Sequence, residues 1–335
     1  MTVLIGPDPP RHLPSEAGRL RFDATVPRKL VHRAAISETF LTDAIELGED
    51  RYLVAAQLPR AHALYSDVSA GCHDLLVLAE AVRQAGTLLA HRFYDVPEGT
   101  IFPLRTAQIE VTDVDALNLT DTSSELVAEV QIFGQEHQGD AMSGMRLRAD
   151  VYLDGRSAGS AAGAMHLVSP SGYGALRAPR RSVESPAPVT AHRPEPIGVG
   201  RSDPRNVVVG DFLSRGNAAF SARVVADTTH PAYFDHPQDH IPGMLLLEAF
   251  RQLSLLSVAG ACGWAAEGLL TVECDATFAR YAELDLETLC VATVGEPVLP
   301  HRGASWVPVS LELTQAGVTL SRARVRVADV GSRSS

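Results

Sequence analysis

A predicted apolar helix in the second half of the chain, MLLLEAFRQLSLLSVAG, carries three polar residues on one stripe. Glu248 and Arg251 are three residues apart and Gln252 is four residues from Glu248, a spacing that puts side chains on one helix face. A helix that is apolar nearly all round is buried within its sheet. Because burial raises the pKa of a carboxyl group, Glu248 is a candidate general base, with Arg251 as its catalytic partner.

These charges also have a structural interpretation. A salt bridge between Glu248 and Arg251 could merely satisfy buried charge or lock the two halves of the chain together. A repetition favours the functional interpretation, because the apolar helix LLVLAEAVRQ of the first half carries Glu80, Arg83 and Gln84 at the same spacing. We therefore take Glu80 as a further candidate catalytic residue.

The segment DHIPGM places Pro242 and Gly243 at the start of the second helix. Free backbone N–H groups there, at the positive end of the helix dipole, can hold a carbonyl oxygen or an oxyanion. Glycine also permits close approach to the backbone, so the N–H of Gly243 is the candidate oxyanion donor. The aligned positions of the first helix are Asp74 and Leu75, and the chemistry is therefore expected at the second helix.

A loop before the second helix is rich in histidine and aspartate. The spacing of His230, Asp235, His236, Asp239 and His240 matches no standard zinc or iron pattern, and we predict no metal site. Because His236 and His240 have no counterpart in the first half, any catalytic role for them would be confined to the second. The candidate substrate-binding residues are Arg83, Gln252, His230 and Asp235.

The two halves of the chain are related by duplication. Shifting the first half by 168 positions gives eight identities in 23 ungapped positions, where average residue usage would give roughly one or two. The flanking segments AISETFLT and VVVGDFLS also resemble each other, with a gap of a few residues. The identical pairs are His62 and His230, Tyr65 and Tyr233, Asp67 and Asp235, Leu78 and Leu246, Glu80 and Glu248, Ala81 and Ala249, Arg83 and Arg251, and Gln84 and Gln252.

We expect a first repeat at 25–168, a linker at 169–204 and a second repeat at 205–330. The linker is dense in Pro, Gly, Ser and Arg and has no sustained apolar period. Its arginines are expected to be solvated, and no site residue is assigned to it. These arginines are Arg177, Arg180, Arg181 and Arg193.

Each repeat is predicted to contain one long apolar helix among several antiparallel strands. The helices are expected near 75–89 and 244–259, and runs such as SELVAEVQIF and WVPVSLELT alternate in the manner of strands. This is an α+β architecture, a tandem (double) hotdog fold in which each antiparallel sheet wraps a central helix. The two helices should pack side by side, so that one chain forms a pseudo-dimer.

Composition excludes several classes of protein. With 335 residues, of which 45% are apolar, the chain can form two domain cores. A net charge of −11 argues against a nucleic-acid binder, and we find neither a signal peptide nor an apolar run of about 18 residues that could span a membrane. We expect a cytoplasmic protein with reduced, buried thiols at its four cysteines.

These segments together resemble the A-factor (γ-butyrolactone) synthase family, called AfsA-like. The specific signal is DHIPGMLLLEAFRQ, supported by HDLLVLAEAVRQ, KLVHRAAISETFLTD and FARYAELD, and the resemblance covers essentially the whole chain after its N-terminal segment. It implies a double hotdog enzyme that transfers a β-ketoacyl group from acyl carrier protein to a hydroxyl of dihydroxyacetone phosphate. The ester then condenses to a butenolide phosphate, on the way to γ-butyrolactone or furan-type signalling molecules. The family's functional residues fall on Glu80, Glu248 and Arg251.

For this reaction we expect Glu248 to accept the proton of the attacking hydroxyl, and Arg251 to hold either Glu248 or the acceptor phosphate. Glu80 would reach the site across the pseudo-dimer interface. Glu248→Gln should then abolish transfer with the fold intact, whereas Glu80→Gln should lower it less. Acyl transfer requires no redox or metal cofactor. The sequence leaves open the acyl chain and whether the protein is a monomer or a dimer of such chains.

Two alternative functions are open at this point. The P-G-x-L-x-x-E-A core is also similar to hydroxyacyl-carrier-protein dehydratases, although Phe234 occupies the position of the dehydratase histidine. The other alternative is a non-catalytic, lactone-binding regulator. Transfer consumes an acceptor hydroxyl whereas dehydration needs only one acyl substrate, so product analysis distinguishes the two enzymes.

Overall fold

In a computed structural model that describes residues 12–68, 71–178, 191–300 and 303–331, the chain forms one antiparallel sheet of 12 strands. The strands of the first repeat are β1 (Leu41–Gly48), β2 (Arg51–Leu58), β3 (Leu104–Val111), β4 (Ser124–Gln138), β5 (Ala141–Leu153) and β6 (Arg156–His166). Those of the second repeat are β7 (Val209–Gly216), β8 (Ala219–Val224), β9 (Leu269–Phe278), β10 (Thr288–Val294), β11 (Trp306–Gln315) and β12 (Val318–Asp329). Across the sheet the order is β1-β2-β4-β5-β6-β3-β9-β12-β11-β10-β8-β7, so the second half mirrors the first.

The two repeats meet at the centre of this sheet, where β3 pairs with β9. Ile109 lies opposite Cys274 in that antiparallel pair. Burial alternates along β11, as expected for a strand with one face on the core. β1 and β7 begin 168 positions apart, so the flanks of the two repeats align without the gap that we predicted there.

Three α-helices lie in the described residues: α1 (Leu75–Phe93), α2 (Pro170–Arg177) and α3 (Gly243–Cys262). α1 and α3 are the two central helices, and they contact each other as well as the strands around them. Both begin within one residue of the predicted start and extend further than predicted at the C-terminal end. α3 ends where Gly263 adopts a left-handed conformation with φ of 69°, a common helix stop. The predicted tandem hotdog fold, with its helices side by side, is confirmed.

α3 is apolar enough to resemble a membrane span. Among the described residues it is the helix that meets the length and composition for crossing a bilayer, with a mean hydropathy of 1.3. However, 72% of that window is buried inside the protein. The sheet, not lipid, therefore surrounds this helix.

The burial of the four cysteine thiols agrees only in part with the sequence prediction. All four lie in the described part of the chain and none forms a disulfide. Three are buried, and burial raises the pKa of the Cys274 thiol to about 12. Cys262, near the end of α3, is only partly buried, so the prediction that all four thiols are buried is wrong at this position.

The segment predicted as a linker contains ordered structure. It includes α2, whose first turn is capped by the Ser169 hydroxyl. The expectation that its arginines are solvated is wrong for Arg177, which is buried because its guanidinium pairs with Asp239 and Glu283. Of the other arginines, Arg193 is partly exposed, and those at positions 180 and 181 lie outside the described residues.

Candidate functional site

Glu80, in the middle of α1, is fully buried between two guanidinium groups. Arg33 donates to its Oε1 from Nε (3.1 Å) and Nη2 (2.6 Å). Arg83 donates to Oε2 from Nε (2.7 Å) and to Oε1 from Nη2 (2.8 Å). Gln84 Nε2 adds a hydrogen bond to Oε1 at 2.7 Å. These four residues form what we call the first cluster.

Glu248 on α3 repeats this arrangement in the second cluster, together with Arg201, Arg251 and Gln252. Arg201 donates to Oε1 from Nε (3.0 Å) and to Oε2 from Nη2 (2.7 Å). Arg251 donates to Oε2 from Nε (2.9 Å) and to Oε1 from Nη2 (2.6 Å), and Gln252 Nε2 lies 2.6 Å from Oε1. Both carboxylate oxygens are therefore saturated with donors, which leaves little capacity to accept a substrate proton.

The pKa of Glu248 is correspondingly low. Burial alone would raise it, but the charges and hydrogen bonds of Arg201 and Arg251 outweigh burial and lower the pKa to about 2. The same balance in the first cluster lowers the pKa of Glu80 to about 2. The prediction of a raised pKa for Glu248 is therefore wrong, because two guanidiniums rather than one compensate its charge.

These depressed pKa values predict that the protein is sensitive to acid. A carboxyl group whose pKa is 4.5 in the unfolded chain and about 2 in the folded one stabilises the fold fully above pH 4.5. That stabilisation, about 3 kcal/mol for each glutamate, is lost as the pH falls through the folded pKa. Denaturant titrations from neutral pH down to about pH 2 should show the free energy of unfolding falling in this window. A free energy of unfolding that is independent of pH there would contradict the network.

Arg33 and Arg201 are the cluster residues that the sequence prediction missed. They are 168 positions apart, which is the shift between the repeats, so extending the repeat alignment towards the N-terminus would have found them. Arg201 belongs to the segment predicted as a linker without site residues, yet its side chain is completely buried. A buried carboxylate on each helix requires such a partner, because an uncompensated charge in the core is strongly destabilising.

Asp235, a predicted substrate-binding residue, joins the two repeats. Its carboxylate accepts hydrogen bonds from the backbone N–H groups of residues 34–35 of the first repeat, at 2.6 and 2.9 Å. Asp67 makes the matching bonds to the N–H groups of residues 202–203, at 2.8 and 3.0 Å. This reciprocal exchange fixes the segments that follow the two cluster arginines, so these hydrogen bonds give Asp235 a structural role.

His230 and Gln252, also predicted to bind substrate, are buried in contacts within the protein. His230 Nδ1 accepts from the N–H groups of residues 232–233, and its Nε2 lies 2.9 Å from the Asn206 side-chain oxygen. Burial lowers the pKa of His230, which favours the neutral ring in this role. Gln252 donates to the Asn206 carbonyl at 2.6 Å. Neither residue lines the cavity at the start of α3.

That cavity has a volume of about 930 Å³ and is bounded by both repeats. Of the eight predicted site residues, Arg83 and Gly243 lie in its wall. Glu80 lies directly behind the arginines of the first cluster that face the cavity, whereas the second cluster is not part of the wall. Its wall includes Arg33, Arg83, His240, Gly243 and Met244.

His240, three residues before α3, is oriented by the carboxylate that precedes it. Its Nδ1 lies 2.8 Å from Asp239 Oδ1, and because a carboxylate only accepts, Nδ1 carries the proton. The hydrogen bonds from His240, Tyr173 and Arg177 hold the pKa of Asp239 well below its usual range. Nε2 of His240 makes no hydrogen bond within the described part of the chain, so its lone pair is available beside the cavity. No group of three or more His, Cys, Asp or Glu side chains in that part could hold a metal ion.

The starts of the two central helices differ as the sequence predicted. α1 is capped by the Asp74 side chain. α3 begins at Gly243, and its N-cap residue, Pro242, has no side chain that can accept a capping hydrogen bond. A Cβ added at Gly243 would meet the nearest side chain, that of Leu104, at 3.7 Å, which is an ordinary contact. The glycine is therefore not required for packing, and its backbone is accessible from the cavity.

Sequence comparison identifies relatives across almost the whole chain. The family model described as the A-factor biosynthesis hotdog domain (AfsA) matches residues 15–169 and again 184–330. A 2-oxo-3-(phosphooxy)propyl 3-oxoalkanoate synthase of Streptomyces virginiae is 34% identical over 265 residues, which cover 78% of this chain and 85% of that protein. A synthase of the same name from Streptomyces griseus is 33% identical and covers 87% and 92% of the two chains.

Solved structures with similar architecture are more distant. The pyran synthase domain from module nine of the sorangicin pathway covers 88% of this chain and 98% of that one, at 15% identity and a TM-score of 0.49. The 12:0-ACP thioesterase from Umbellularia californica covers 82% and 93%, at 11% identity and a TM-score of 0.46. The two matches of the family model coincide with the two halves of the duplicated sheet, and the chain therefore belongs to the AfsA family of A-factor biosynthesis hotdog proteins.

Proposed function

We propose that the protein is an acyltransferase that condenses a β-ketoacyl thioester with dihydroxyacetone phosphate in the biosynthesis of γ-butyrolactone-type signalling molecules. The product would be a 2-oxo-3-(phosphooxy)propyl 3-oxoalkanoate, the compound for which the relatives are named. The observation that carries the proposal is the cavity at the start of α3. Open backbone N–H groups, arginine side chains and a histidine with a free nitrogen face this one space.

The proposed step is a simple acyl transfer. The hydroxyl oxygen of the acceptor attacks the thioester carbonyl carbon, the carbon–sulfur bond breaks, and the thiol leaves with the proton that the hydroxyl has released. Nothing is oxidised or reduced, so the step consumes no redox cofactor. The N–H of Gly243 donates a hydrogen bond to the carbonyl oxygen as negative charge develops on it, a contribution usually worth about 10²- to 10³-fold in kcat.

His240 is the proposed general base. The Asp239 carboxylate fixes the proton on Nδ1, so Nε2 can accept the hydroxyl proton and return it to the leaving thiolate. An aspartate that orients a histidine is a recurring arrangement in acyl transfer. His240 has no counterpart in the first repeat, which restricts the chemistry to the second helix.

Glu80 and Glu248 are proposed to position arginine side chains instead of moving protons. Each carboxylate holds two guanidiniums in a fixed orientation. Only the arginines of the first cluster face the cavity, so Glu80 acts on the site through them, across the interface between the repeats. The base role that the sequence predicts for Glu248 is not supported by its low pKa and its saturated oxygens.

Acyl carrier protein is the proposed donor of the β-ketoacyl group, and the cytoplasm is the proposed compartment, where such carriers and dihydroxyacetone phosphate are available. One chain already supplies the two hotdog units that usually come from a dimer, so a single chain is sufficient for the site.

The decisive experiment is an incubation with a β-ketoacyl carrier-protein thioester, with and without dihydroxyacetone phosphate, followed by mass spectrometry. Thiol release and the phosphorylated ester should appear only when the acceptor is present. Thiol release without the acceptor would indicate a thioesterase. Water loss from a hydroxyacyl thioester would indicate the dehydratase alternative, and saturable lactone binding without turnover would indicate a regulator.

A further inference from the structure

The second cluster contains an acidic residue for which the first cluster has no equivalent. Asp74, the N-cap of α1, is buried, and its Oδ1 accepts a hydrogen bond from the N–H of Leu76 at 2.9 Å. Its Oδ2 accepts from Arg201 Nη2 at 2.5 Å and lies 4.0 Å from Arg251 Nε. One carboxylate thus bridges the start of a helix and the guanidinium that holds Glu248.

The matching position of the first cluster is open. Pro242 replaces Asp74 there and offers no side-chain oxygen. The N–H of Met244, which corresponds to the N–H capped by Asp74, makes no hydrogen bond within the described residues. Arg33 and Arg83 line the cavity beside it. A helix start and a guanidinium therefore face the same space with no carboxylate between them.

The two clusters differ in the number of carboxylates that contact their guanidinium groups. In the second cluster, two guanidiniums, Arg201 and Arg251, meet two carboxylates, Glu248 and Asp74. In the first cluster, two guanidiniums meet the single carboxylate of Glu80. The guanidiniums of the first cluster therefore contact one carboxylate fewer than those of the second cluster, which favours an anionic ligand beside them.

We infer that the phosphate of the acceptor binds in this open position, an assignment that rests on the proposed function. One phosphate oxygen accepts from the N–H of Met244 and another from Arg33 Nη2, in the arrangement that Asp74 displays in the second cluster. Helix starts and arginine both suit phosphate oxygens. The N–H of Gly243 is left for the thioester carbonyl, so the acceptor hydroxyl and the thioester meet beside the same helix turn.

The same comparison explains why one chain has one acyl-transfer site. At the start of α1 the carboxylate of Asp74 already occupies the position of the phosphate, and Leu75 replaces the glycine at the oxyanion position. The second copy of the site is therefore blocked by the protein's own side chains. Duplication has kept the arginine–glutamate clusters in both repeats and an open anion position in only one.

Pro242→Asp tests the subsite by placing a carboxylate where the phosphate is proposed to bind. Aspartate is a favoured N-cap and Asp74 already occupies the matching position, so the variant should fold, as thermal unfolding would verify. Calorimetric titration with dihydroxyacetone phosphate, without any acyl donor, should show saturable binding that this variant weakens about 10- to 100-fold. Inorganic phosphate should compete, and dihydroxyacetone without phosphate should not bind.

Matched variants distinguish the effect of the added negative charge from the effect of a changed side chain. A further variant distinguishes the proposed subsite from another arginine that could bind the phosphate. Pro242→Ala should bind within about threefold of the wild type, and Pro242→Asn, which can cap the helix without adding charge, should weaken binding less than Pro242→Asp. Arg280, an exposed guanidinium that also lines the cavity, provides the alternative phosphate position. Equal weakening by Asn and Asp, unchanged binding in Pro242→Asp, or loss of binding confined to Arg280→Ala would each overturn the inference.

The binding test is independent of turnover, so the two proposals can fail separately. If wild-type protein binds the phosphate and Pro242→Asp does not, the subsite stands even when no acyl transfer is detected, and the proposed function is then refuted. If transfer is detected but Pro242→Asp binds dihydroxyacetone phosphate like the wild type, the subsite is refuted and the function stands.

Discussion

Replacing His240 by glutamine should lower kcat about 10²- to 10⁴-fold, the usual contribution of a positioned general base. Glutamine retains a polar side chain that can still hydrogen-bond to Asp239, but its amide cannot accept a proton at neutral pH. The binding of dihydroxyacetone phosphate should change little, because its proposed contacts lie on α3 and the first cluster. Single-turnover rates with a β-ketoacyl thioester, together with calorimetric binding of the acceptor, would measure both quantities.

Two control variants test this assignment. His236 also lines the cavity, but its Nε2 is hydrogen-bonded to Gln238 at 2.8 Å, so His236→Gln should have a small effect on kcat. Asp239→Asn should lower kcat more than His236→Gln does and less than His240→Gln does. In this variant His240 keeps its base nitrogen but loses the carboxylate that fixes its tautomer. Near wild-type turnover in His240→Gln with an inactive His236→Gln would transfer the base role to His236.

The fold was predictable because its signals are local and occur twice. Apolar helices and alternating strands are visible over short windows, and the 168-residue shift between the two halves predicts the pseudo-dimer. The burial of Arg177 in the segment at 169–204 was not predictable from composition, which reports only average polarity. Arg177 is buried there by carboxylates that come from distant parts of the chain, and a composition count contains no information on such pairing.

The sequence predicted the kinds of groups that form the site better than it predicted the individual residues. The polar stripe on each helix correctly indicated buried charge, and the Pro-Gly start of α3 correctly indicated an accessible helix end. The partner of Glu248 could not be inferred from helix spacing, because Arg201 is 47 positions away in the chain. Burial raises the pKa of this carboxyl group, and the charge of Arg201 is the largest of the interactions that lower it.

Substitution of the two glutamates should separate stability from activity. Glu248→Gln removes a carboxylate from Arg201, whose side chain is 0% exposed, and leaves the second cluster with Asp74 as its only carboxylate. Breaking a buried pair in this way should cost about 3–5 kcal/mol of unfolding free energy. Glu80→Gln should cost a comparable amount, because it leaves Arg33, whose side chain is 8% exposed, without a carboxylate partner, although water from the cavity can solvate Arg83.

The effect on activity should differ between the two variants. Glu80 holds the two arginines that face the cavity, so Glu80→Gln should weaken acceptor binding and lower kcat/KM even at temperatures where the variant is fully folded. Glu248 faces the blocked copy of the site, so the folded fraction of Glu248→Gln should retain a kcat/KM near that of the wild type. Urea unfolding gives the stability of each variant, and initial rates corrected for the folded fraction give its activity. A Glu248→Gln variant that is stable but inactive, beside a Glu80→Gln variant near wild type, would restore Glu248 as the base and move the chemistry to the other cluster.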